Sequence, residues 1–453
     1  MMELRNKKLL VMGLGKTGLS LCRFLSKRGA SVTATDAKNA SALGDLPELL
    51  KKMGVTVVLG EHQERLLEEQ ALIILSPGVP HTLLPVRRAM EKGVPVIGEI
   101  ELASWFIKEP IVAVTGTNGK TTVTTLISEM LQASGKRIFT GGNIGTPLID
   151  YVDLGEPKEC VVAEISSFQL DTIHTFSPQV AVLLNVTDDH LDRYRDFDEY
   201  AASKMRIFMN QDENGSAVIY GDDFLLRKLS GQIRSSKLYF GSKKEASLEA
   251  VISEDQILVK KRTGSFSLEI KSLPLSGGHN YENIAAAALA SLAAGGTEEG
   301  IRIALSHFKG LPHRIEHVAD VNGVAFYDDS KATNVDAVLR ALEAFSTPLF
   351  LIMGGRDKQG DFGVLKNHVK KNVKKIFLIG EAAPLIRKAL HGCVDMAEAA
   401  TMEAAVSMAY ECAQSGEVVL LSPACASFDM YKSYAHRGDE FKKAVQKRKE
   451  GLP

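Results

Sequence analysis

Cysteine is scarce in this sequence. Five cysteines are scattered over 453 residues, and no two of them form a C-x-x-C pair. This pattern indicates neither a disulfide framework nor a zinc site, so we expect a reducing, cytoplasmic compartment. Residues 1–12 lead directly into a strand pattern and lack the apolar core of a secretory signal, which favours the same compartment.

A surplus of charge and long apolar runs are also missing. The formal net charge is -1, and no apolar run reaches the length of a transmembrane helix. We therefore expect no nucleic-acid partner and no membrane insertion. Hydrophobic residues make up 45% of the chain and charged residues 24%, which is typical of a globular protein. The length is too great for one core, and about two to four domains are expected.

Residues 111–122 carry the most informative pattern, I-V-A-V-T-G-T-N-G-K-T-T. The apolar residues predict a buried strand, the glycines predict a tight loop, and a helix is predicted over 122–130. Such a loop can direct backbone N–H groups at phosphate oxygens, with Lys120 supplying a cation and Thr121 a ligand for Mg²⁺. The first glycine of the usual phosphate-loop pattern would fall at Val114. An ordinary strand-to-helix turn with an exposed lysine is the alternative.

Residues 13–18 match the dinucleotide pattern G-x-G-x-x-G, between strands predicted over 8–12 and 32–36. The pattern indicates a diphosphate at a helix N-terminus and would suit a nicotinamide dehydrogenase. Asp36 could accept a hydrogen bond from a ribose or a uracil, or it could cap the next turn. Gly78 follows another predicted strand at the same edge of the sheet.

Polar residues also follow the predicted strands of the central segment. Asn143 lies in a glycine loop, and Glu164 ends a strand where a metal ligand is needed, although a salt-bridged acid is the alternative. A strand over 180–185 runs into T-D-D-H-L-D, which suits a metal or a phosphate, although His190 could be structural. Lys204 lies on a predicted helix and, taken alone, would be a solvated lysine.

A Gly-Pro boundary at residues 310–314 precedes a second alternation of strands and helices. Strands are predicted over 324–328, 349–353, 376–379 and 418–422. Helices are predicted over 334–345, 364–373, 384–391, 402–412 and 438–450. Polar loops follow three of these strands, where open α/β sheets bind ligands. The sequence therefore predicts an α/β protein with doubly wound, mostly parallel sheets.

Several motifs occur in order along nearly the whole chain: V-T-G-T-N-G-K-T-T, E-I-S-S-F-Q-L, N-V-T-D-D-H-L-D, Y-A-A-S-K, G-G-H-N, G-L-P-H-R and D-D-S-K-A-T-N. In these motifs the chain resembles the Mur ligases, ATP-dependent amide-forming enzymes of peptidoglycan synthesis. The resemblance implies a Rossmann-like UDP-binding domain over 1–98, a central P-loop ATPase domain over 99–309 and a Rossmann-like amino-acid-binding domain over 310–453. It also implies that the G-x-G-x-x-G loop holds a uridine diphosphate rather than NAD.

The resemblance also implies roles for the residues that match these motifs. The catalytic residues would be Lys120, Glu164, His190 and Lys204. Thr121 and Glu164 would bind one Mg²⁺ and His190 a second, with Lys204 carbamylated so that its added carboxylate completes the second site. ATP would contact Gly116, Thr117, Asn118, Gly119, Lys120, Thr121, Thr122, Asn280, Arg314 and Asp329. The UDP-sugar substrate would contact Lys16, Thr17, Asp36, Gly78 and Asn143. The amino acid would contact Lys331, Thr333, Lys358, Ser427 and Tyr434.

Two further runs are similar to those of the family members that add D-glutamate: G-L-G-K-T-G near the start and L-S-P-A-C-A-S-F-D-M-Y-K-S-Y-A-H-R-G-D-E-F near the end. The substrates implied are UDP-N-acetylmuramoyl-L-alanine, ATP and D-glutamate, joined through an acyl phosphate and a tetrahedral intermediate. A monomer is expected. The family often has an aspartate where this chain has Arg356 in its G-G-R-D-K loop.

Three other functions stay open from the sequence. With a different amino acid the chain would be another Mur-type ligase or a folylpolyglutamate synthase, and the loop around Ser427 discriminates between these. A nicotinamide dehydrogenase would use the N-terminal pattern and would leave the phosphate loop unexplained. A non-catalytic nucleotide switch would bind nucleotide without releasing phosphate in response to a substrate.

Overall fold

The computed structural model describes residues 3–187, 193–242, 247–261, 263–275 and 277–451. The chain divides into two compact units. Unit 1 comprises Met1–Val186, Asp198–Leu273 and Glu282–His307. Unit 2 comprises Thr187–Phe197, Pro274–Tyr281 and Phe308–Pro453. In the part of the chain that is described, unit 1 contains two sheets and unit 2 contains one.

The first sheet of unit 1 is parallel throughout. Its strands are β1 (Lys8–Met12), β2 (Ser31–Asp36), β3 (Thr56–Leu59), β4 (Leu72–Leu75) and β5 (Val96–Gly98). The helices of this segment are α1 (Lys16–Lys27), α2 (Ala40–Leu43), α3 (Leu46–Lys52), α4 (Glu64–Glu68), α5 (Leu84–Glu91) and α6 (Glu99–Ser104). The strand order β3-β2-β1-β4-β5 reverses between β1 and β4. A crevice at such a reversal is where open α/β sheets bind their ligands.

The second sheet of unit 1 is built around strands that are buried along their whole length. Its strands are β6 (Ile111–Thr115), β7 (Ile138–Gly142), β8 (Cys160–Glu164), β9 (Val180–Leu183), β10 (Ser216–Tyr220), β11 (Ser236–Gly241), β12 (Ala250–Ile252), β13 (Gln256–Lys260) and β14 (Ser265–Glu269). They lie in the order β14-β13-β12-β11-β10-β9-β6-β8-β7, and only the β12-β13-β14 edge is antiparallel among the described strands. The adjacent strands β9, β6 and β8 place their carboxyl ends at one edge.

Helices connect several strands of this second sheet, and two more follow its last strand. They are α7 (Lys120–Ala133), α8 (Leu148–Leu154), α9 (Ser167–Leu170), α10 (Phe197–Met205), α11 (Phe224–Leu229), α12 (Gly278–Ala293) and α13 (Glu298–His307). The alanine run of α12 is buried from Asn283 to Ser291, because small side chains allow a helix to pack closely.

The sheet of unit 2 is parallel except at β15. Its strands are β15 (Glu316–Val321), β16 (Val324–Asp328), β17 (Leu349–Gly354), β18 (Val373–Ile379), β19 (Asp395–Glu398) and β20 (Val418–Leu421), in the order β15-β16-β20-β17-β18-β19. The helices are α14 (Val335–Glu343), α15 (Lys366–Asn372), α16 (Ala383–Ala389), α17 (Met402–Cys412) and α18 (Tyr434–Lys449). Two apolar clusters fill the two faces of this sheet. Because β16 and β17 each pair with β20 in parallel, the loops that follow these three strands meet at one edge of the sheet.

The predicted α/β class with mostly parallel sheets is confirmed. The strands predicted over 8–12 and 324–328 are observed as Lys8–Met12 and Val324–Asp328. The helix predicted from residue 122 begins at Lys120, so the two residues that follow the glycine loop belong to its first turn. The domain boundaries at 98/99 and 309/310 stay a prediction. Among the described residues, no helix combines the length and the apolar character that crossing a membrane would require.

Candidate active site

The loop between β6 and α7 depends on one glycine for its shape and is held by one asparagine. Gly119 has a left-handed φ of 85°, and a side-chain carbon there would lie 2.4 Å from Asn283 Oδ1. Only glycine fits both conditions. Asn185 lies just beyond β9. Its side-chain oxygen accepts a hydrogen bond from the Asn118 N–H at 2.8 Å, and its backbone carbonyl accepts one from the Thr117 N–H at 3.0 Å. The loop is thus fixed in front of the α7 N-terminus, where phosphates bind.

Two lysines meet at one carbonyl of this loop. Lys120 Nζ donates to the carbonyl oxygens of Gly116 and Thr117, each at 2.8 Å. Lys204 Nζ, from α10, donates to the Gly116 carbonyl at 2.9 Å. Lys204 is only 1% exposed, and its ammonium lies 4.6 Å from the centre of the Tyr200 ring. The sequence predicted both lysines for the site, and the structure brings them together.

Oxygen atoms cluster at the first turn of α7. The Thr121 hydroxyl donates to Glu164 Oε2 at 2.8 Å, and Asn143 Nδ2 donates to Glu164 Oε1 at 2.8 Å. Glu164 ends β8 and is 2% exposed. Hydroxyl and carboxylate oxygens are ligands that Mg²⁺ accepts, so these residues fit that ion. His190, predicted for a second ion, lies outside the described residues.

The predicted diphosphate turn lies between β1 and α1. A side-chain carbon on Gly18 would lie 2.0 Å from the Gly13 carbonyl oxygen, so this glycine permits the close approach of helix and turn. Asp36 accepts from the Leu14 N–H at 2.7 Å and from the Lys38 N–H at 2.9 Å, so its carboxylate caps two turns. Thr17 lies in the first turn of α1 and Gly78 lies in the loop after β4.

Lys16 connects this turn to the second sheet of unit 1. Its Nζ donates to the Gly145 carbonyl at 2.6 Å. Gly145 belongs to the loop that also carries Asn143, which contacts Glu164. Within unit 1 the predicted diphosphate turn and the predicted metal ligands are therefore joined through one loop.

In unit 2, a buried carboxyl lies next to the predicted ATP contact Arg314. Asp329 accepts from the Ser422 hydroxyl at 2.8 Å and from the Ile315 N–H at 3.4 Å. Burial raises the pKa of Asp329 to about 7, although Ser422 and Arg314 act in the opposite direction. Asn280 lies in the first turn of α12, where its N–H donates to the Gly277 carbonyl.

Four of the predicted amino-acid contacts lie on the three loops at the sheet edge of unit 2, and the fifth, Tyr434, begins α18. The Lys331 ammonium is 5.3 Å from the centre of the Tyr434 ring. Thr333 follows in the same loop, Lys358 lies in the loop after β17 and is partly exposed, and Ser427 lies in the loop after β20 and is buried.

Arg356, where the family often has an aspartate, is directed at another side chain. Its Nε and Nη2 donate to the two oxygens of the Glu381 carboxylate, each at 3.0 Å, and more than half of each side chain is exposed. Its backbone pairs with Ala426 in both directions, at 2.8 and 2.9 Å. Arg356 therefore ties the loop after β17 to the loop after β20 through its main chain.

Several residues that organise the site were missed from the sequence. Arg437 is 1% exposed and donates to the carbonyls of Ser330, Gly354 and Cys425, one in each of the three loops. Burial lowers the pKa of His279 to about 4, with Arg340 and Arg314 adding to the effect, so this histidine is neutral at pH 7. His279 stands in the G-G-H-N motif and Arg437 stands in the run over 421–441, but the sequence analysis gave neither residue a role.

His313 was also missed, although it lies in the G-L-P-H-R motif. Its Nδ1 lies 2.7 Å from Oδ2 of Asp328, whose carboxylate is fully buried. Its ring packs edge-on against Tyr434, with 6.0 Å between the ring centres. His313 thus supports the tyrosine that was predicted to contact the amino acid.

Models of three protein domains match the chain. They are the Mur ligase MurD-like N-terminal domain over residues 7–98, the Mur ligase middle domain over 114–291 and the Mur ligase glutamate ligase domain over 313–425. Together with the phosphate loop and the parallel sheets, these matches define the class of protein. The chain belongs to the Mur ligase family and is an enzyme.

Particular members of this family are similar to the chain over almost its full length. The UDP-N-acetylmuramoylalanine--D-glutamate ligase of Desulfosudis oleivorans is 51% identical over 99% of this chain and 98% of its own. The ligase of the same name from Desulfatibacillum aliphaticivorans is 52% identical over 98% of this chain and 99% of its own. A solved pseudomurein peptide ligase type C from Methanothermus fervidus shares the fold, with a TM-score of 0.64 and 19% identity over 98% of this chain and 100% of its own.

Proposed function

We propose that this enzyme is a UDP-N-acetylmuramoylalanine--D-glutamate ligase of peptidoglycan precursor synthesis, and that it uses ATP. The similarity to relatives of that name, above 50% identity over at least 98% of each chain, supports the specific assignment. The contact between Thr121 and Glu164 beside the phosphate loop is the geometric observation that carries the chemistry. The contact supports the proposal, because a hydroxyl and a carboxylate that could bind a metal lie beside the loop that Lys120 contacts.

The proposed reaction activates a carboxylate, which is a poor electrophile. The terminal carboxylate oxygen of UDP-N-acetylmuramoyl-L-alanine attacks the γ-phosphorus of ATP, the bond to the β-phosphate oxygen breaks, and an acyl phosphate and ADP result. The neutral amine of D-glutamate then attacks the acyl carbon. The tetrahedral intermediate expels phosphate, the amine loses a proton, and the amide remains. Anionic groups come together in the first step, so cations must dominate the site.

The phosphate loop would hold ATP. In this proposal the backbone N–H groups of the loop and of the α7 N-terminus bind phosphate oxygens, and Lys120 moves its ammonium from the loop carbonyls to the β- and γ-phosphates. The remaining ATP contacts are proposed for Gly116, Thr117, Asn118, Gly119, Thr121, Thr122, Asn280, Arg314 and Asp329. The buried position of Asp329 beside Ser422 suits a carboxylate that accepts from a sugar hydroxyl.

Thr121 and Glu164 would hold one Mg²⁺, and His190 with a carbamylated Lys204 would hold a second. Bound Mg²⁺ would neutralise charge on the phosphates. The position of Lys204 supports this role, because the residue is buried and its Nζ lies at the Gly116 carbonyl of the phosphate loop. The carbamate would replace a cation by carboxylate-type oxygens, which Mg²⁺ accepts.

The remaining contacts are proposed for the other two substrates. Lys16, Thr17, Asp36, Gly78 and Asn143 would bind the UDP-sugar substrate, with the diphosphate at the α1 N-terminus. Lys331, Thr333, Lys358, Ser427 and Tyr434 would bind D-glutamate. We also propose domains over 1–98, 99–309 and 310–453, a cytoplasmic location and a monomeric state.

Phosphate release tests the proposal. With ATP, Mg²⁺ and UDP-N-acetylmuramoyl-L-alanine present, release should depend on added D-glutamate. The Lys120→Ala variant should lower turnover at least about a hundredfold, because a cation is lost from the charge-stabilising site. Lys228→Ala, an exposed lysine on α11, is the matched control and should turn over like the parent.

Three results would count against the proposal. Phosphate release that does not depend on added D-glutamate would indicate a simple ATPase or a nucleotide switch. Near-parental turnover of Lys120→Ala would remove the phosphate loop from the mechanism. Binding of NAD(H), followed by its fluorescence, would instead favour a dehydrogenase.

A further inference from the structure

The N-terminus of α8 is capped by a residue that lies far away in sequence. Pro147 precedes the helix and has no side-chain oxygen, so it cannot cap the first N–H groups of α8 itself. The carboxylate of Glu99 does so instead: Oε1 accepts from the Ile149 N–H at 2.7 Å, and the Leu148 N–H also contacts the carboxylate. Glu99 is the first residue of α6 and is 1% exposed. A buried carboxylate at a helix N-terminus both satisfies N–H groups and complements the helix dipole.

The loop over residues 142–147, which leads into α8, is the loop that joins the two predicted sites of unit 1. At one end, the Asn143 N–H donates to the Glu164 carbonyl at 2.8 Å, and its side chain donates to the Glu164 carboxylate. Further along, the Gly145 carbonyl accepts from Lys16 Nζ. The Gly142 N–H closes the loop by donating to the Thr146 carbonyl at 2.9 Å. Movement of α8 would therefore displace Asn143 and Gly145 together.

The helix α8 is attached at two further points. Asp150 accepts from the Ser20 hydroxyl at 2.8 Å, and Asp153 pairs with Lys27 at 2.9 Å and with Arg28 at 2.8 Å. Ser20 and Lys27 lie on α1, which begins at the predicted diphosphate turn, and Arg28 directly follows its last residue. The helix is thus held from its N-terminus by α6 and along its side by α1.

We propose that Glu99 is a positioning residue for the ligation: by holding the α8 N-terminus it sets the 142–147 loop, and with it Asn143 and Gly145, against the UDP-sugar substrate. This inference rests on the proposed function and deepens it. Within the described part of the chain, the Glu99 carboxylate bonds to the α8 N–H groups and not to a predicted substrate contact, so it would act through the loop. The binding of D-glutamate, whose proposed contacts all lie in unit 2, should not depend on it.

Glu101 offers a matched control two residues further along the same helix. It is also fully buried, and its carboxylate accepts from the backbone N–H groups of His174 and Phe176, each at 2.9 Å, and from Thr175. These residues lie before β9, on the side of its amino-terminal end. The 142–147 loop, by contrast, begins at the carboxyl end of β7. Loss of either carboxylate should lower the melting temperature, but only loss of Glu99 should disturb the 142–147 loop.

The test measures KM for each substrate in the parent, Glu99→Ala, Glu99→Gln and Glu101→Ala enzymes. Glu99→Ala should raise KM for UDP-N-acetylmuramoyl-L-alanine about tenfold and leave KM for D-glutamate within about twofold. Glu99→Gln keeps an oxygen acceptor for the α8 N–H groups and should lie closer to the parent. Glu101→Ala should keep all parental KM values. If Glu99→Ala does not fold, Glu99→Gln should still show a smaller rise that is confined to the UDP-sugar substrate.

Calorimetric binding of UDP-N-acetylmuramoyl-L-alanine separates this inference from the proposed function. A parent enzyme that binds this compound but releases no phosphate would contradict the proposed function, while weaker binding by Glu99→Ala would still support the role of Glu99. Parental KM values and affinity in both Glu99 variants would overturn the inference. So would an equal rise in Glu101→Ala, because the effect would then be general destabilisation.

Discussion

Lys204 has an unusual environment for a lysine. It is almost fully buried, it donates to the carbonyl that Lys120 also contacts, and it lies against Tyr200. If it works as a carbamate, Lys204→Ala should lose most turnover, and added short-chain carboxylic acids should restore part of it by supplying the missing carboxylate. Phosphate release with and without the acid measures this. The same acids should not stimulate the parent, and a Lys204→Ala enzyme as active as the parent would contradict the carbamate.

Lys358 and Arg356 are cations in one loop, but their surroundings predict different effects. Loss of a charge-assisted contact typically costs about 1.5–3 kcal/mol, so Lys358→Ala should raise KM for D-glutamate roughly ten- to hundredfold and leave KM for ATP unchanged. Arg356 pairs with Glu381 at the surface, where solvent screens the attraction between the two charges. Arg356→Ala should therefore keep KM for D-glutamate within about twofold. Steady-state kinetics of both variants measures this difference. An equal rise in KM for D-glutamate in the two variants would show that Arg356 also contacts the substrate.

The residues that sequence patterns could predict are those whose spacing reflects local chemistry. Lys120 and Thr121 follow a glycine loop, and this order alone indicates phosphate binding. Asn185, Arg437 and Glu99 act through contacts across roughly 50 to 110 residues of chain, for example from Glu99 to Ile149 and from Arg437 to Ser330. Asn185 and Arg437 stand in quoted motifs, but no local pattern encodes the contact that each of the three residues makes, so their roles could be found only in the folded chain.

At the scale of elements, the packing of α1 on the turn after β1 depends on Gly18. A side-chain carbon there would lie 2.0 Å from the Gly13 carbonyl, and backbone cannot yield as a flexible side chain can. Gly18→Ala should therefore lose about 1–3 kcal/mol of unfolding free energy and should raise KM for the UDP-sugar substrate. Urea unfolding and kinetics measure the two effects. Gly231→Ala, with no described atom within 4 Å of the added carbon, should change the stability by less than about 0.5 kcal/mol.

The elements that the sequence predicted best are strands buried along their whole length. The strands β6, β9 and β17 are short apolar runs, and such runs indicate buried parallel strands directly. The strands that were not predicted are β7, β10, β11, β12, β13, β14, β15 and β19. Of these, β13 and β14 are exposed at both ends and β19 is exposed or half-exposed throughout, so they lack the continuous burial of the strands that were predicted. Val373 was predicted to end a helix but begins β18, because helix and strand meet there without a loop.

For the whole molecule, the buried carboxyl of Asp329 makes stability depend on pH. Its pKa is about 7 in the folded chain against an ordinary value of 3.8. A raised carboxyl pKa means that the folded state binds the proton more tightly, so its contribution to stability is lost as pH rises towards 7. Between pH 5 and pH 8 the parent should lose roughly 2 kcal/mol more unfolding free energy than Asp329→Asn, measured with urea. An identical pH dependence in both proteins would show that this carboxyl is ionised throughout.

The choice of amino acid is a property of the whole enzyme. D-glutamate brings two carboxylates and one amine, which must be neutral to attack the acyl phosphate. The loops of unit 2 offer Lys331, Lys358 and the Ser427 hydroxyl as cations and donors for those carboxylates, whereas L-lysine would need an acceptor for its distant amine. Inversion at Cα cannot keep both carboxylates and the amine in place together. L-glutamate should therefore be at least about a hundredfold poorer in kcat/KM than D-glutamate, as measured by phosphate release across a panel of amino acids. A preference for L-lysine, diaminopimelate or L-alanine would leave the enzyme in the Mur ligase family but would contradict its assignment to D-glutamate.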